Sequence, residues 1–294
     1  MIISASRRTD IPCYYSEWLF NRIKEKYVLT RNPMNLSRIK NIDLSRENVE
    51  CFVFWTKNPA PMTGSLYKLK DYPYYFQFTL NSYGNDIEPG LPGKRRITDE
   101  FRKLADKIGG TGPERVIWRY DPVFLNGRYN FEYHAGHFAE TAELLKGYTK
   151  KVIISFVDLY KKISVNADIF NIREPDFFQK DLILKLFSNT AKANDFTIET
   201  CAENGDFTDY NGYSIGRAKC VDGGLIEKIS GRKLSPDSLK KDKNQRPGCG
   251  CVPSVDIGAY NCCPNGCVYC YANHGAESVK SNFEKHKTYS PFLI

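Results

Sequence analysis

The stretch Arg115–Pro122, RVIWRYDP, is the most informative about the fold. Its apolar and aromatic residues follow one another directly, whereas a strand with one solvent-exposed face alternates apolar and polar residues. A strand of this kind is buried on both faces, which is typical of a parallel sheet covered by helices. The stretch ends in Asp-Pro, a dipeptide that stops strands. We therefore predict a buried parallel strand followed by a turn.

Five other runs along the chain have the same character, and stretches with a helical period separate them. The alternation predicts an α/β fold with six parallel strands. The predicted strands are MIISAS, CFVFWT, YYFQFTL, RVIWRY, KVIISFV and FTIET. The predicted helices are 16–26 with Ser16 as N-cap, 98–108 ended by Gly109, 131–146 ended by Gly147, and 176–194 after Pro175. We interpret residues 27–45, which are less regular, as a small hairpin.

Polar residues collect directly after most of these strands. In a (β/α) barrel or an open α/β sheet, the carboxyl ends of the strands converge on one rim, where active sites are built. Asn-Pro and Asp-Pro are also ordinary turn dipeptides, but their recurrence after several strands favours a site. The residues predicted to meet at this rim are Arg7, Arg8, Asp10, Lys57, Arg119, Asp121, Asp158 and Glu199.

Composition bounds the class of protein. With 294 residues, 41% of them hydrophobic, the chain can bury one large core or two small ones, and we expect one. The first residues become charged after six positions and no apolar run could span a bilayer, which predicts a cytoplasmic protein without a membrane segment. A net charge of +8 is compatible with nucleic acid, but basic residues are interleaved with acids as on an ordinary surface.

Ten cysteines in a reducing compartment indicate metal ligation or catalysis rather than disulfides. The segment NCCPNGCVYCYANHG contains Cys263, Cys267 and Cys270 around a Pro-Asn-Gly turn. Three thiolates on a four-iron cluster would leave one iron open, whereas a structural zinc site takes four ligands. Cys262 leaves two alternatives, because it could replace Cys263 or complete a four-cysteine zinc site.

A second set of four cysteines suits a closed site, either an auxiliary [4Fe–4S] cluster or a structural zinc, and their spacing does not choose between them. The alternative is that Cys201 and Cys220 are buried apolar residues, but the Cys-Gly-Cys loop of Cys249 and Cys251 is not a core pattern. The set comprises Cys201, Cys220, Cys249 and Cys251. We interpret Cys13 and Cys51 as packing residues. His134 and His137, without an accompanying zinc-protease motif, are interpreted as solvated or capping side chains.

The segment CPNGCVYC resembles the C-x3-C-x-aromatic-C signature of the radical S-adenosylmethionine (SAM) superfamily. In that superfamily the motif usually follows the first strand, whereas here it follows the sixth. Over its full length the chain is similar to an uncharacterised bacterial family, a domain of unknown function, in which SASRRTDIP, VFWTKNP, WRYDP and GCVYCYAN recur.

The superfamily resemblance implies a partial (β/α)6 barrel, similar to a TIM barrel, formed by residues 1–205. A cysteine-rich segment, 206–294, would pack on the barrel, and its cluster loop would fold back onto the carboxyl rim of the strands. It also implies that Cys263, Cys267 and Cys270 bind a [4Fe–4S] cluster, that SAM binds the open iron, and that Tyr269 lines the adenine pocket.

The activity that this resemblance implies is reductive cleavage of SAM to a 5′-deoxyadenosyl radical, which abstracts a hydrogen from an unidentified substrate. An external donor such as flavodoxin or ferredoxin would supply the electron. By location, Arg7, Arg8, Lys57 and Arg119 are candidates for holding the carboxylate of SAM or an anionic substrate. Asp121 and Glu199 are candidates for the ribose or ammonium groups. The alternative is a zinc-stapled nucleic-acid-binding protein without redox chemistry.

Overall fold

All six predicted strands are present in the computed structural model, which describes residues 1–160 and 163–294. The strands are β1 (Ile2–Ala5), β2 (Tyr27–Asn32), β3 (Asn35–Asp43), β4 (Cys51–Thr56), β5 (Tyr74–Thr79), β6 (Val116–Val123), β7 (Lys151–Phe156), β8 (Thr197–Thr200), β9 (Gly216–Arg217) and β10 (Val255–Asp256). The helices are α1 (Ile11–Tyr14), α2 (Ser16–Glu25), α3 (Ala60–Thr63), α4 (Lys94–Ile108), α5 (Gly112–Arg115), α6 (Phe131–Leu145), α7 (Ser164–Ile169), α8 (Phe177–Ala193), α9 (Gly223–Ser230) and α10 (Ala276–Lys285).

Eight strands form one parallel sheet in the order β10-β1-β4-β5-β6-β7-β8-β9. The α/β class and the parallel sheet are therefore confirmed. The sheet is not a closed barrel, because β10 and β9 are its two edges. Both edge strands come from residues 206–294, while the six central strands come from residues 1–205. The division of the chain at residue 205 stays a prediction.

Both faces of the sheet are buried, as the continuous apolar runs predict. Phe52, Phe54 and Trp118 lie in the larger core, which includes apolar residues of helices α2, α4, α6 and α8. Val53 and Ile117, at alternate positions, lie in a second core. That second core is completed by the segment 201–252, including α9. The long helices therefore cover one face of the sheet, and the cysteine-rich segment covers part of the other.

The predicted helices are confirmed, with small corrections at their ends. Ser16 is the first residue of α2 and not its N-cap, which is Tyr15 and makes no side-chain cap. Helix α4 begins at Lys94, four residues before the predicted start, because its first three residues are all basic and give no apolar period. Asp176 forms a capping box with Gln179 at the start of α8. In the described part of the chain, no helix has the length and apolar character to span a membrane.

The predicted hairpin is present as the antiparallel pair β2 and β3.

His134 is not solvated, because its side chain is fully buried on the inner side of α6. Its Nε2 lies 2.8 Å from the carbonyl oxygen of Phe124, and its Nδ1 lies 2.9 Å from the hydroxyl of Tyr120. A carbonyl oxygen only accepts, so Nε2–H donates to Phe124 and Nδ1 accepts from Tyr120. The interpretation of His134 as a solvated or capping residue is therefore wrong.

Burial lowers the pKa of His134 to about 4. In the unfolded chain the imidazole titrates near its ordinary value, so the unfolded state binds more protons between these two pH values. We expect the free energy of unfolding to fall as the pH falls from about 6.5 to about 4, by on the order of 3 kcal/mol from this residue. Urea titrations at several pH values in this range should show that the free energy of unfolding depends less on pH in His134→Gln than in the wild type. His137→Gln, on the exposed side of the same helix, should keep the wild-type pH dependence.

Candidate functional site

A cavity of about 480 Å³ opens at the carboxyl ends of the central strands. Its volume is in the range of sites for small molecules and cofactors. Glu199 is not among the lining residues of the described chain and forms an ion pair with Lys151 instead, at 2.7 Å. The sequence-predicted rim residues that line the cavity are Arg7, Arg8, Asp10, Lys57, Arg119, Asp121 and Asp158.

The cysteine loop, residues 261–273, folds back onto this end of the sheet. The Tyr271 hydroxyl donates to the carbonyl oxygen of Arg7 at 2.7 Å, directly after β1. The Val268 amide donates to the carbonyl of Ile87 at 3.0 Å, in the segment after β5. The loop therefore spans the carboxyl ends of these strands, as predicted. Its cavity-lining residues include Cys263, Cys267, Tyr269 and Cys270.

Asp256, at the end of β10, fixes the position where the cysteine loop begins. Its carboxylate accepts hydrogen bonds from the hydroxyls of Ser4 at 2.9 Å and Ser6 at 2.6 Å, and from the amide of Arg7 at 2.8 Å. Strand β10 pairs in parallel with β1, so the loop leaves the sheet beside the first strand. Sequence reasoning missed Asp256, because a two-residue strand gives almost no periodic signal.

Asp10 joins three segments at the cavity wall. Its carboxylate accepts from the amides of Cys13 at 3.1 Å and Lys57 at 2.7 Å, and from the side chain of Asn265 at 3.4 Å. Burial raises the pKa of Asp10 to about 6, against these hydrogen bonds. The first strand loop, the end of β4 and the cysteine loop thus share one carboxylate.

A buried ion-pair network lies under the cysteine loop. Glu88, 1% exposed, accepts from the ammonium groups of Lys57, at 2.8 Å, and Lys94. The Tyr269 hydroxyl donates to Glu88 and accepts from Lys57 at 2.8 Å and from Asn81 at 3.1 Å. Although burial acts in the opposite direction, the two ammonium groups lower the pKa of Glu88 to about 2. Sequence reasoning missed Glu88, which lies in an irregular loop.

Gly90 allows the backbone of this segment to touch the cysteine loop. Its amide donates to the carbonyl oxygen of Asn265 at 2.9 Å. A Cβ at Gly90 would lie 2.8 Å from the Cα of Asn265 and 2.7 Å from its carbonyl oxygen, both backbone atoms. Only glycine fits this contact, and it keeps the loop close to the residues that follow β5.

A comparison with known families covers the part of the chain that forms this site. The family model described as "Domain of unknown function (DUF1848)" matches residues 2–272. The chain belongs to this family. The matched range contains every residue that lines the cavity. No curated protein matches the chain with significant similarity.

In this member of the family, all ten cysteines are free thiols. Burial raises the pKa of Cys263 well above its ordinary range and that of Cys267 to about 12, so both are protonated at neutral pH without a metal. Cys262 is fully buried and does not line the cavity. Its thiol donates a hydrogen bond to the carbonyl oxygen of Ala259 at 2.9 Å. Cys51 is fully buried, as expected of a packing residue.

The second predicted cysteine set is brought together on another part of the cavity wall. The sulfurs of Cys201 and Cys220 are 3.5 Å apart. Cys251 lies close enough to Cys220 and Cys249 for these thiols to change one another's pKa. The neighbouring Cys251 lowers the pKa of Cys249 to about 7. Within residues 1–160 and 163–294, no three His, Cys, Asp or Glu side chains surround one point as the ligands of a single metal ion do.

Two arginines contact the ring of Trp55 near this second set. The guanidinium carbons of Arg7 and Arg119 lie 4.9 Å and 5.2 Å from the Trp55 ring centroid. Arg119 donates to the sulfur of Cys220 at 2.8 Å and to Asp121 at 2.9 Å. Arg7 donates to the hydroxyl of Ser254 at 3.3 Å. Arg119 therefore hydrogen-bonds a thiol of the second set, and Arg7 adds a second positive charge beside the same tryptophan.

Proposed function

We propose that the chain is a radical SAM-type enzyme in which Cys263, Cys267 and Cys270 hold a [4Fe–4S] cluster. The observation that carries this proposal is the place of the three thiols. They have the spacing of the superfamily signature, and all three line a cavity at the carboxyl ends of a parallel sheet. This is the end of an α/β sheet at which ligands bind.

The donor set suits this cluster in its chemistry. Thiolates are the usual ligands of iron–sulfur clusters, and each takes its own iron, so the sulfurs need not meet at one point as around a single ion. Cys267 and Cys270 are half-buried and Cys263 is buried, which keeps solvent away from such a cluster. The buried thiols would release their protons on binding it, because the ligand is the thiolate.

The partial barrel is part of the same proposal. The long helices lie on one face of the sheet, and the opposite face carries the cavity-lining side chains of Trp55 and Arg119. A doubly wound sheet would carry helices on both faces. One-sided covering is what a curved half-barrel with an interior site requires. Strand β10 would take the cysteine loop to the place beside β1 that the usual superfamily loop occupies.

The cluster, when bound and reduced, supplies the electron that cleaves SAM to methionine and a 5′-deoxyadenosyl radical. The chain's own residues bind, orient and exclude water. Arg8 lines the cavity and has no ion pair with a described side chain, so we assign it to the carboxylate of SAM or an anionic substrate. Tyr269 keeps its hydroxyl on the Glu88 network while it lines the cavity, which suits a fixed wall of an adenine pocket.

Anaerobic reconstitution tests the proposal. Protein purified without oxygen, treated with iron and sulfide and then given SAM and dithionite, should form 5′-deoxyadenosine, measured by liquid chromatography and mass spectrometry. A flavodoxin or ferredoxin should replace dithionite as donor, as expected for a cytoplasmic enzyme. Colourless protein that carries zinc and forms no 5′-deoxyadenosine would instead support the zinc-stapled nucleic-acid-binding alternative.

A further inference from the structure

We propose that the second thiol set binds its own iron–sulfur cluster, and that Arg7 and Arg119 favour the reduced state of that cluster. The set comprises Cys201, Cys220, Cys249 and Cys251. This site is separate from the one proposed for SAM, although both line the same cavity.

The first observation is convergence from distant parts of the chain. Cys201 follows β8, Cys220 follows β9, and Cys249 and Cys251 lie in the loop before β10. The backbone between these points has only one helix of eight residues, α9, and one strand of two residues, β9. Even so, all four thiols line the same cavity, and the sulfurs of Cys201 and Cys220 lie 3.5 Å apart. Four unpaired thiols gathered at one cavity are a ligand set for a soft metal centre.

The second observation favours a cluster over zinc. A structural zinc ion and a four-iron cluster both take four thiolates, so the number of ligands does not separate them. These sulfurs line the cavity, where an electron carrier can act, whereas a structural zinc has no need to be there.

The third observation is the charge beside the sulfurs. Arg119 donates to Cys220 at 2.8 Å, and the guanidinium groups of Arg7 and Arg119 lie 4.9 Å and 5.2 Å from the Trp55 ring centroid. Arg119 is 5% exposed at its side chain. Hydrogen bonds and positive charge at the ligand sulfurs stabilise the more negative state of a cluster. Uptake of one electron from a donor such as reduced ferredoxin or dithionite makes the cluster more negative by one charge, and these cations oppose the cost of that charge.

Metal analysis of the full chain tests the site apart from the proposed function. In Cys263→Ala/Cys267→Ala/Cys270→Ala, which lacks the SAM-type ligands, reconstituted protein should retain about four irons and four sulfides per chain. Adding Cys249→Ser/Cys251→Ser should remove them. Retention of zinc instead of iron, or of neither metal, would overturn the inference. Retained iron without any SAM cleavage in wild type would overturn the proposed function alone.

The role of the arginines is tested in the same triple variant by a redox titration followed by electron paramagnetic resonance. Arg7→Gln removes one positive charge and should shift the midpoint potential to more negative values while iron content is unchanged. Arg7→Lys, which keeps the charge, should have a midpoint potential close to that of the chain with Arg7. A potential that is the same in all three chains would contradict the role assigned to Arg7. Because these variants alter one half-exposed side chain, their folding is checked by circular dichroism.

Discussion

Replacing Cys263, Cys267 or Cys270 by alanine is expected to remove about four irons per chain and to abolish 5′-deoxyadenosine formation. Each sulfur would hold one iron, and the chain offers no replacement at the same place, since Cys262 points into the core. The fold should persist, because these thiols lie on the cavity wall and not in the sheet. Iron analysis, product analysis and circular dichroism check the three parts of this expectation.

Cys262→Ala is the matched control, because it removes the adjacent thiol of the same loop. The Cys262 side chain packs in the larger core, so this variant should keep its iron and its activity and lose only a small part of its stability. If Cys262→Ala lost the iron while Cys263→Ala kept it, the ligand would be Cys262, and the assignment of Cys263 would be wrong.

Glu88→Ala is expected to lower the free energy of unfolding by about 3–5 kcal/mol. The substitution leaves Lys57 and Lys94 without their carboxylate at a buried site, and it releases the hydroxyl of Tyr269. Unpaired buried charge is costly, whereas loss of an exposed pair is not. Urea unfolding of the metal-free chain measures the change. Iron incorporation should also fall, because the network holds the cysteine loop against the segment after β5.

Two controls separate this effect from a general loss of a glutamate. Glu100→Ala breaks the pair with Lys103 on α4, and because the lysine left behind is 64% exposed and stays hydrated, stability should change by less than about 1 kcal/mol. Adding Lys57→Met and Lys94→Met to Glu88→Ala removes the unpaired charges and should recover much of the lost stability. Equal stability of Glu88→Ala and Glu100→Ala would show that the network does not support the loop.

The sequence predicted the sheet well because burial on both faces leaves a direct trace. The run at Cys51–Thr56 is apolar at nearly every position, and five of the six central strands are similarly buried, whereas β8 is buried only at Thr200. Arg119 and Asp121 lie within β6, which continues to Val123, and their meeting with residues that follow other strands at one rim was predictable from topology. Glu199 lies within β8 and pairs with Lys151 of the neighbouring strand β7, so it does not line the cavity.

Other parts of the site depend on contacts that no local pattern contains. Asp256 acts through pairing of a two-residue strand with β1, some 250 residues away in the chain. The position of Glu88 depends on ion pairs with two lysines from different segments. The full burial of His134, a residue of α6, depends on how that helix packs on the sheet. The sequence grouped Cys201, Cys220, Cys249 and Cys251 as a second set, and all four line the cavity. That Arg119 hydrogen-bonds Cys220, however, follows only from the folding of the strands around Trp55.

Electron paramagnetic resonance of the dithionite-reduced protein, recorded with and without SAM, tests most directly whether the three-thiol loop carries a cluster with an open iron. The Cys263→Ala/Cys267→Ala/Cys270→Ala variant supplies the background from the second thiol set. We expect SAM to change the signal of one cluster in the wild-type protein, because it would bind that cluster's open iron, and we expect no change in the variant. Wild-type spectra that are identical with and without SAM would contradict the proposed function.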